Sequence, residues 1–221
     1  MRAIISLFVF VFFFTLCGCT KKDRPGNGLD FLSKDMPIDG DTTYYSDERS
    51  LENFHNILIY DAQKVEIVTG KPCGVTISGP KCYVKAQEAV VDDGTLTVKF
   101  KEHDTKYRKT KVVVHVPSYE DLEIFGSKKV VTYGSPLEED DVYIELNHVS
   151  KSEFRNELKV KELTLSFRFV DYVECRMNCN SFNLTTQTLE QGVFSGSVRD
   201  VHYHVDRMDR LDMTGLKVVS Q

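Results

Sequence analysis

From Phe54 onward, apolar and polar positions alternate along the chain, the period of strands with one buried face. Ile57-Leu58-Ile59, Val65-Glu66-Ile67-Val68, Val75-Thr76-Ile77, Leu96-Thr97-Val98-Lys99-Phe100 and Lys111-Val112-Val113-Val114-His115-Val116 each predict a strand, the last ended by Pro117. Asp92-Asp93-Gly94-Thr95 predicts a tight turn, because Gly94 takes positive φ at little cost. Only Lys85 to Val91 carries helical character.

Beyond Pro117 a longer period appears. Pairs of apolar residues two apart recur as Leu122/Ile124, Val142/Ile144, Leu163/Leu165, Phe182/Leu184 and Val201/Tyr203, each start about twenty residues after the one before. At a fixed offset within the last four of these segments stand Phe154, Cys175, Phe194 and Met213. About twenty residues make one circuit of a small parallel β-helix, and one coil cannot bury its own apolar side without a stacked neighbour. An antiparallel sandwich would instead repeat its strands roughly every 8–12 residues. The expected fold is therefore all-β: a right-handed parallel β-helix-like solenoid with about five C-terminal coils and a β-rich N-terminal portion.

The start of the chain is of another kind. Arg2 precedes an unbroken apolar run from Ile4 to Leu16, closed by Leu16-Cys17-Gly18-Cys19. The run is short for a bilayer span and ends in small residues followed by cysteine, the pattern of a bacterial lipoprotein signal. Residues 1–18 are read as the leader and Cys19 as the lipidated first residue of the mature chain. Thr20 rather than Asp follows Cys19, so the expected destination is the outer membrane, facing either the periplasm or the exterior. Residues 19–52, with the breaker-rich Lys21 to Gly28, read as a flexible tether, and 53–221 as the folded domain. The acids around Asp39-Gly40-Asp41 and Asp47-Glu48 lack calcium-loop spacing and fall to the tether.

Charge narrows the partners. Losing Arg2 with the leader leaves 27 Lys+Arg against 33 Asp+Glu, a formal net charge of −6. The densest basic segment, Lys106 to Lys111, is interleaved with Tyr107 and Thr110, so no stripe suited to nucleic acid is read. An exported chain also argues against diffusible nucleotide cofactors, and none is expected.

Phe54, Val65 to Gly70, Val91 to Val98, Val112 to Pro117 and Leu122 to Ser127 follow one another in an order that resembles the putative auto-transporter adhesin family with a head GIN domain, frequent among Bacteroidetes lipoproteins. That family carries Gly-Ser or Ser-Gly once per coil. Gly126-Ser127 and Ser195-Gly196-Ser197 keep it, whereas His148-Val149 and Arg168-Phe169 depart from it. The resemblance implies a right-handed β-helical domain and an adhesin-like role, and it brings no catalytic motif.

Candidate chemistry is sparse. Cys73 and Cys82 flank Val75 to Pro80, where a hairpin would set them opposite each other in a disulfide. Cys175 and Cys179 are about 13 Å apart on an extended chain, and Cys175 shares the register of Phe154 and Phe194, so a buried thiol is expected. His202 and His204 share one strand face and are a candidate metal pair, although no third ligand is identifiable; Val201, Tyr203 and Val205 would then face the core. Glu138-Glu139-Asp140-Asp141 reads as a solvated turn. With no Ser nucleophile elbow, phosphate loop or Trp, the leading reading is a non-enzymatic envelope lipoprotein. Its wall would bind a glycan or an envelope or surface protein. The alternatives are a carbohydrate-active enzyme, which needs two acids facing across a groove, and a structural component without a ligand.

Overall fold

The computed structural model describes residues 40–101 and 109–219. The leader, Cys19 and the first part of the tether lie outside the described residues. Of the described residues, 78% are strand and 3% helix, and the sheet curls into a half-barrel. The elements are β1 (Tyr44–Ser50), β2 (Asn56–Tyr60), β3 (Lys64–Thr69), β4 (Gly74–Pro80), α1 (Lys81–Ala86), β5 (Gln87–Asp92), β6 (Thr95–Phe100), β7 (Lys111–Val116), β8 (Asp121–Gly134), β9 (Leu137–Thr186), β10 (Leu189–Val205) and β11 (Met208–Val218).

The all-β expectation holds, and from β8 to β11 consecutive strands pair in parallel. Leu122 of β8 pairs in parallel with Ile144 of β9, Val170 of β9 with Leu189 of β10, and Leu189 with Met208 of β11. Cys175 meets Phe194, and Phe182 and Leu184 meet Val201 and Tyr203, as the repeat predicts; Leu122 instead meets Ile144, two residues beyond its expected partner Val142. Leu122, Ile144, Leu165 and Leu184 are all buried, in one core running from Phe54 to Val198. Fully burying such a side chain is worth about 1.5–3 kcal/mol.

The N-terminal strands join the same sheet out of chain order. β2 lies between β6 and β8, and β3 between β7 and β8, all in parallel. The segment from β2 to β3 is thus sandwiched between a later one (β6 to β7) and β8. The expected tight turn joins β5 and β6 in a hairpin, with Asp93 and Gly94 both at positive φ.

β8 turns a corner between its β2-paired and β3-paired halves, at Gly126 with φ +74°. Asp61, His148 and Phe169 take the same left-handed conformation at φ +60°, +55° and +54°. Pairing of Phe125 with Tyr60 and with Asn147 brings Asp61, Gly126 and His148 into line. The His148 and Phe169 rings pack 4.8 Å apart. The coils that lack Gly-Ser therefore keep the corner and bear its backbone strain.

Four expectations need correction. The tether does not extend to residue 52: Tyr44–Ser50 is a strand antiparallel to β4, hidden in the sequence because charged Asp47 and Arg49 occupy its half-buried face and pair with each other at 2.5 Å. Helix forms at Lys81–Ala86, and β5 already starts at Gln87, held by its ladder with β6. Glu138 to Asp141 is not a turn; it opens β9. Tyr203 does not face a core but is 67% exposed, because β10 pairs with β11 only through Val198 and, among the described residues, no strand pairs with residues 201–205 on that side.

Candidate functional site

The outer face of the wall formed by β4, β7, β3, β8 and β9 concentrates charge. Alternation places Val65 and Ile67 in the core and turns Lys64, Glu66 and Val68 outward. The pairings Lys111↔Lys64, Lys64↔Lys129 and Lys129↔Lys151 then set four lysines on four adjacent strands, one beneath another. With neighbouring strands about 4.8 Å apart, the row spans about 14 Å.

Like charges at that spacing repel, and two carboxylates in the adjacent column hold them. Glu66 lies beside Lys64 (2.6 Å) and Lys111 (3.0 Å) and accepts a hydrogen bond from the Tyr133 hydroxyl at 3.0 Å. Two strands away, Glu153 lies 2.6 Å from Lys151, 3.6 Å from Lys129 and 2.5 Å from Arg155. Each carboxylate side chain is only 11% exposed, whereas the four lysines are 38–48% exposed. Desolvation would raise the Glu66 carboxyl, but Lys64, Lys111 and Tyr133 together outweigh it and hold it at about 2. For Glu153 the Lys151 contact dominates, and with Arg155 and Lys129 it overcomes desolvation to give about 2 as well. The anions sit at the base of the wall and the cations stand over them. Lys64, Lys111, Lys129, Lys151 and Arg155 leave a positive excess over Glu66 and Glu153.

The row continues into aromatic and polar groups. Lys151 Nζ sits 5.1 Å from the ring centre of Tyr172, whose hydroxyl donates to Glu174 at 3.0 Å. Glu153, Arg155, Glu174, Arg176 and Ser195 line a recess of about 460 Å³ beside it.

A second, larger groove of about 820 Å³ is lined by Glu120, Glu138 to Asp141, Lys159, Lys161, Asn178 and Asn180. Two of its acids carry lysine partners. Lys159 donates to Glu138 at 3.2 Å and Lys161 to Asp140 at 2.7 Å, each from one repeat further along the chain, so acids and bases alternate along one surface.

The residues singled out from sequence do not form a site. Cys73 and Cys82 sit beyond opposite ends of β4, about 20 Å apart along a strand, and both are free thiols. No hairpin forms between them, because residues 74–80 are paired on both sides, with β1 and β7. Cys73 packs into the main core and Cys82 against Tyr83 and Phe100. Cys175 is buried opposite Phe194, as expected, and burial pushes its thiol up; Cys179, less buried, is pushed up to about 11. His202 and His204 are exposed, and His204 Nε2 lies 3.3 Å from Asp206. Among the described residues no group of three or more His, Cys, Asp or Glu is placed to hold a metal ion.

Sequence reasoning missed the cation row. Lys129 and Lys151 occupy matching positions of successive repeats, which was readable, but their alignment with Lys64 and Lys111 depends on the out-of-order pairing of β3.

Comparison with known proteins gives one assignment and several distant likenesses. The profile of the family described as "Putative auto-transporter adhesin, head GIN domain" matches residues 53–220. No curated protein matches the chain. A crystal structure of a putative adhesin from Bacteroides fragilis is 13% identical with a TM-score of 0.45, covering 77% of this chain and 96% of that one. A putative adhesin from Parabacteroides merdae is 12% identical with a TM-score of 0.47, covering 82% and 98%. A putative lipid binding protein from Parabacteroides distasonis is 12% identical with a TM-score of 0.49, covering 83% and 99%. Among the described residues no helix is long and apolar enough to cross a membrane.

Proposed function

The chain belongs to the putative auto-transporter adhesin family with a head GIN domain, and from that premise we propose a non-enzymatic, adhesin-like binding module of the cell envelope. Cys19 carries the lipid anchor that holds it at the outer membrane, and the folded domain presents its wall to a glycan or an envelope or surface protein. In this reading the stack is a right-handed parallel β-helix of about five C-terminal coils. The parallel pairing of each repeat with the next, from β8 through β11, supports that winding.

The observation that carries the reading is the row of lysines fixed over two nearly buried carboxylates. Side chains already ordered before a partner arrives lose little freedom on binding, which is the main cost of using an open surface. The larger groove supports binding over turnover, since its acids Glu138 and Asp140 are engaged by lysines on the same surface. A glycosidase instead sets two carboxyls across a sugar, one of them keeping its proton.

The test is a binding screen of the full-length protein against glycans and envelope proteins, with product analysis of each positive. Saturable binding without product supports the reading. Turnover of a bound glycan, or no binding to any of them, refutes it. Cys19→Ala should move the protein from the membrane to the soluble fraction, and unchanged membrane association would sink the anchor.

A further inference from the structure

We propose that the lysine row is the binding site of an acidic polysaccharide, whose chain runs across the strands from β7 to β9 with its anionic groups over Lys111, Lys64, Lys129 and Lys151. The inference rests on the binding-module reading and names the ligand class. Three features carry it.

The first is sign. The chain has a formal net charge of −5, yet the row with its adjoining recess sets Lys64, Lys111, Lys129, Lys151, Arg155 and Arg176 against Glu66, Glu153 and Glu174. A positive patch on an acidic protein draws a polyanion to that face and away from the others. The second is spacing. The lysines repeat at the strand separation of about 4.8 Å, close to the length of one sugar ring, so successive acidic sugars meet successive ammonium groups. Glu66 and Glu153 keep the row in register by holding the neighbouring ammonium groups, which stay 38–48% exposed. Each ammonium has three donors, so a carboxylate or sulfate can be added without displacing the anchor.

The third is what flanks the row. Tyr133, 36% exposed, stands beside Glu66, and Tyr172 stands beside Lys151. Flat rings next to cations suit the apolar face of a sugar. A membrane of acidic lipids is the less favoured source of anions. Among the described residues, Tyr133 is the one exposed large apolar side chain that adjoins the row, and a single ring is a poor anchor in a bilayer.

The experiment measures binding of the full-length protein, already anchored in nanodiscs of neutral lipid, to polygalacturonate, to neutral dextran of equal length, and to separate vesicles with and without acidic lipid. Each is repeated with Lys64→Gln/Lys129→Gln/Lys151→Gln and with the control pair Lys159→Gln/Lys161→Gln on the other groove. In the triple variant Lys111 still serves Glu66 and Arg155 still serves Glu153. Folding is checked by circular dichroism, and the triple Lys→Arg variant should restore binding if charge is what counts. Expected are saturable binding of polygalacturonate but not dextran, a loss of about ten-fold or more in the triple variant, and a further fall of about ten-fold between about 50 and about 200 mM salt. Acidic vesicles bound in place of polygalacturonate, with the same sensitivity to the triple variant, would overturn the polysaccharide assignment in favour of a lipid headgroup. Binding of a neutral glycan or a protein, unaffected by the triple variant, would overturn the inference while the binding-module reading stands.

Discussion

Replacing Glu153 with Gln should cost stability at neutral pH and cost almost nothing in acid. A carboxyl that titrates at about 2 in the folded chain and near 4.5 in the unfolded one contributes at most about 3 kcal/mol to folding at pH 7. The partners Lys151 and Arg155 are 48% and 60% exposed, so water screens part of that, and about 2 kcal/mol is the expected figure. The sign follows from the depressed value. The contribution is full above pH 4.5 and is lost as the pH falls through about 2, where folded and unfolded chains both carry the proton. Urea unfolding of the full chain and of Glu153→Gln, followed by circular dichroism from pH 7 to pH 2, should give midpoints that are apart at pH 7 and draw together only as the pH approaches about 2. Glu138→Gln, whose carboxylate is 67% exposed, serves as the control and should track the unaltered protein throughout. A Glu153→Gln deficit that stays constant over the whole range would mean that packing, not charge, makes the residue matter. The account of the anchored lysine row would then fail.

Further outcomes follow from other parts of the fold. Gly196→Ala should lower the thermal midpoint sharply, by about 2–3 kcal/mol or more, because φ is +114° and a Cβ there would run into the Met177 carbonyl on the neighbouring strand; a midpoint within a degree of the parent would show that the strands can part. Thiol titration of the folded protein should find Cys175 unreactive and Cys179 slow at pH 8, with all four thiols of the folded domain counted after unfolding and no reductant. Two thiols instead of four would mean that a disulfide forms after all.

The corner at residues 148 and 169 shows how far family patterns reach. Without Gly-Ser those coils read as irregular in the sequence, yet His148 and Phe169 take the same left-handed backbone as Gly126. The strand pairs on both sides dictate the turn, and a tilted pair of rings in contact occupies it. A similar lesson comes from β1, whose polar alternation resembles a linker until β4 supplies its hydrogen-bonding partner.

What the sequence determined by itself is what depends on periodicity along the chain: strand content, the regular return of apolar positions, the turn at Asp93-Gly94, and the burial of Cys175. Each follows from which face of a strand must leave water, and that is written in neighbouring letters. Tertiary structure alone decided what depends on strand order. Pairing of β3 between β7 and β8 brings Lys111 beside Lys64 and Lys64 beside Lys129, although whole strands separate them along the chain. The same pairing placed Glu66 under two ammonium groups. Pairing of β4 with β1 and β7 held Cys73 away from Cys82 by stretching residues 74–80 into a ladder, and pairing of β10 with β11 only as far as Val198 left Tyr203 exposed. Hydrogen bonds between strands carry no sequence code of their own, so which strands meet is settled only by how the whole sheet closes over its core.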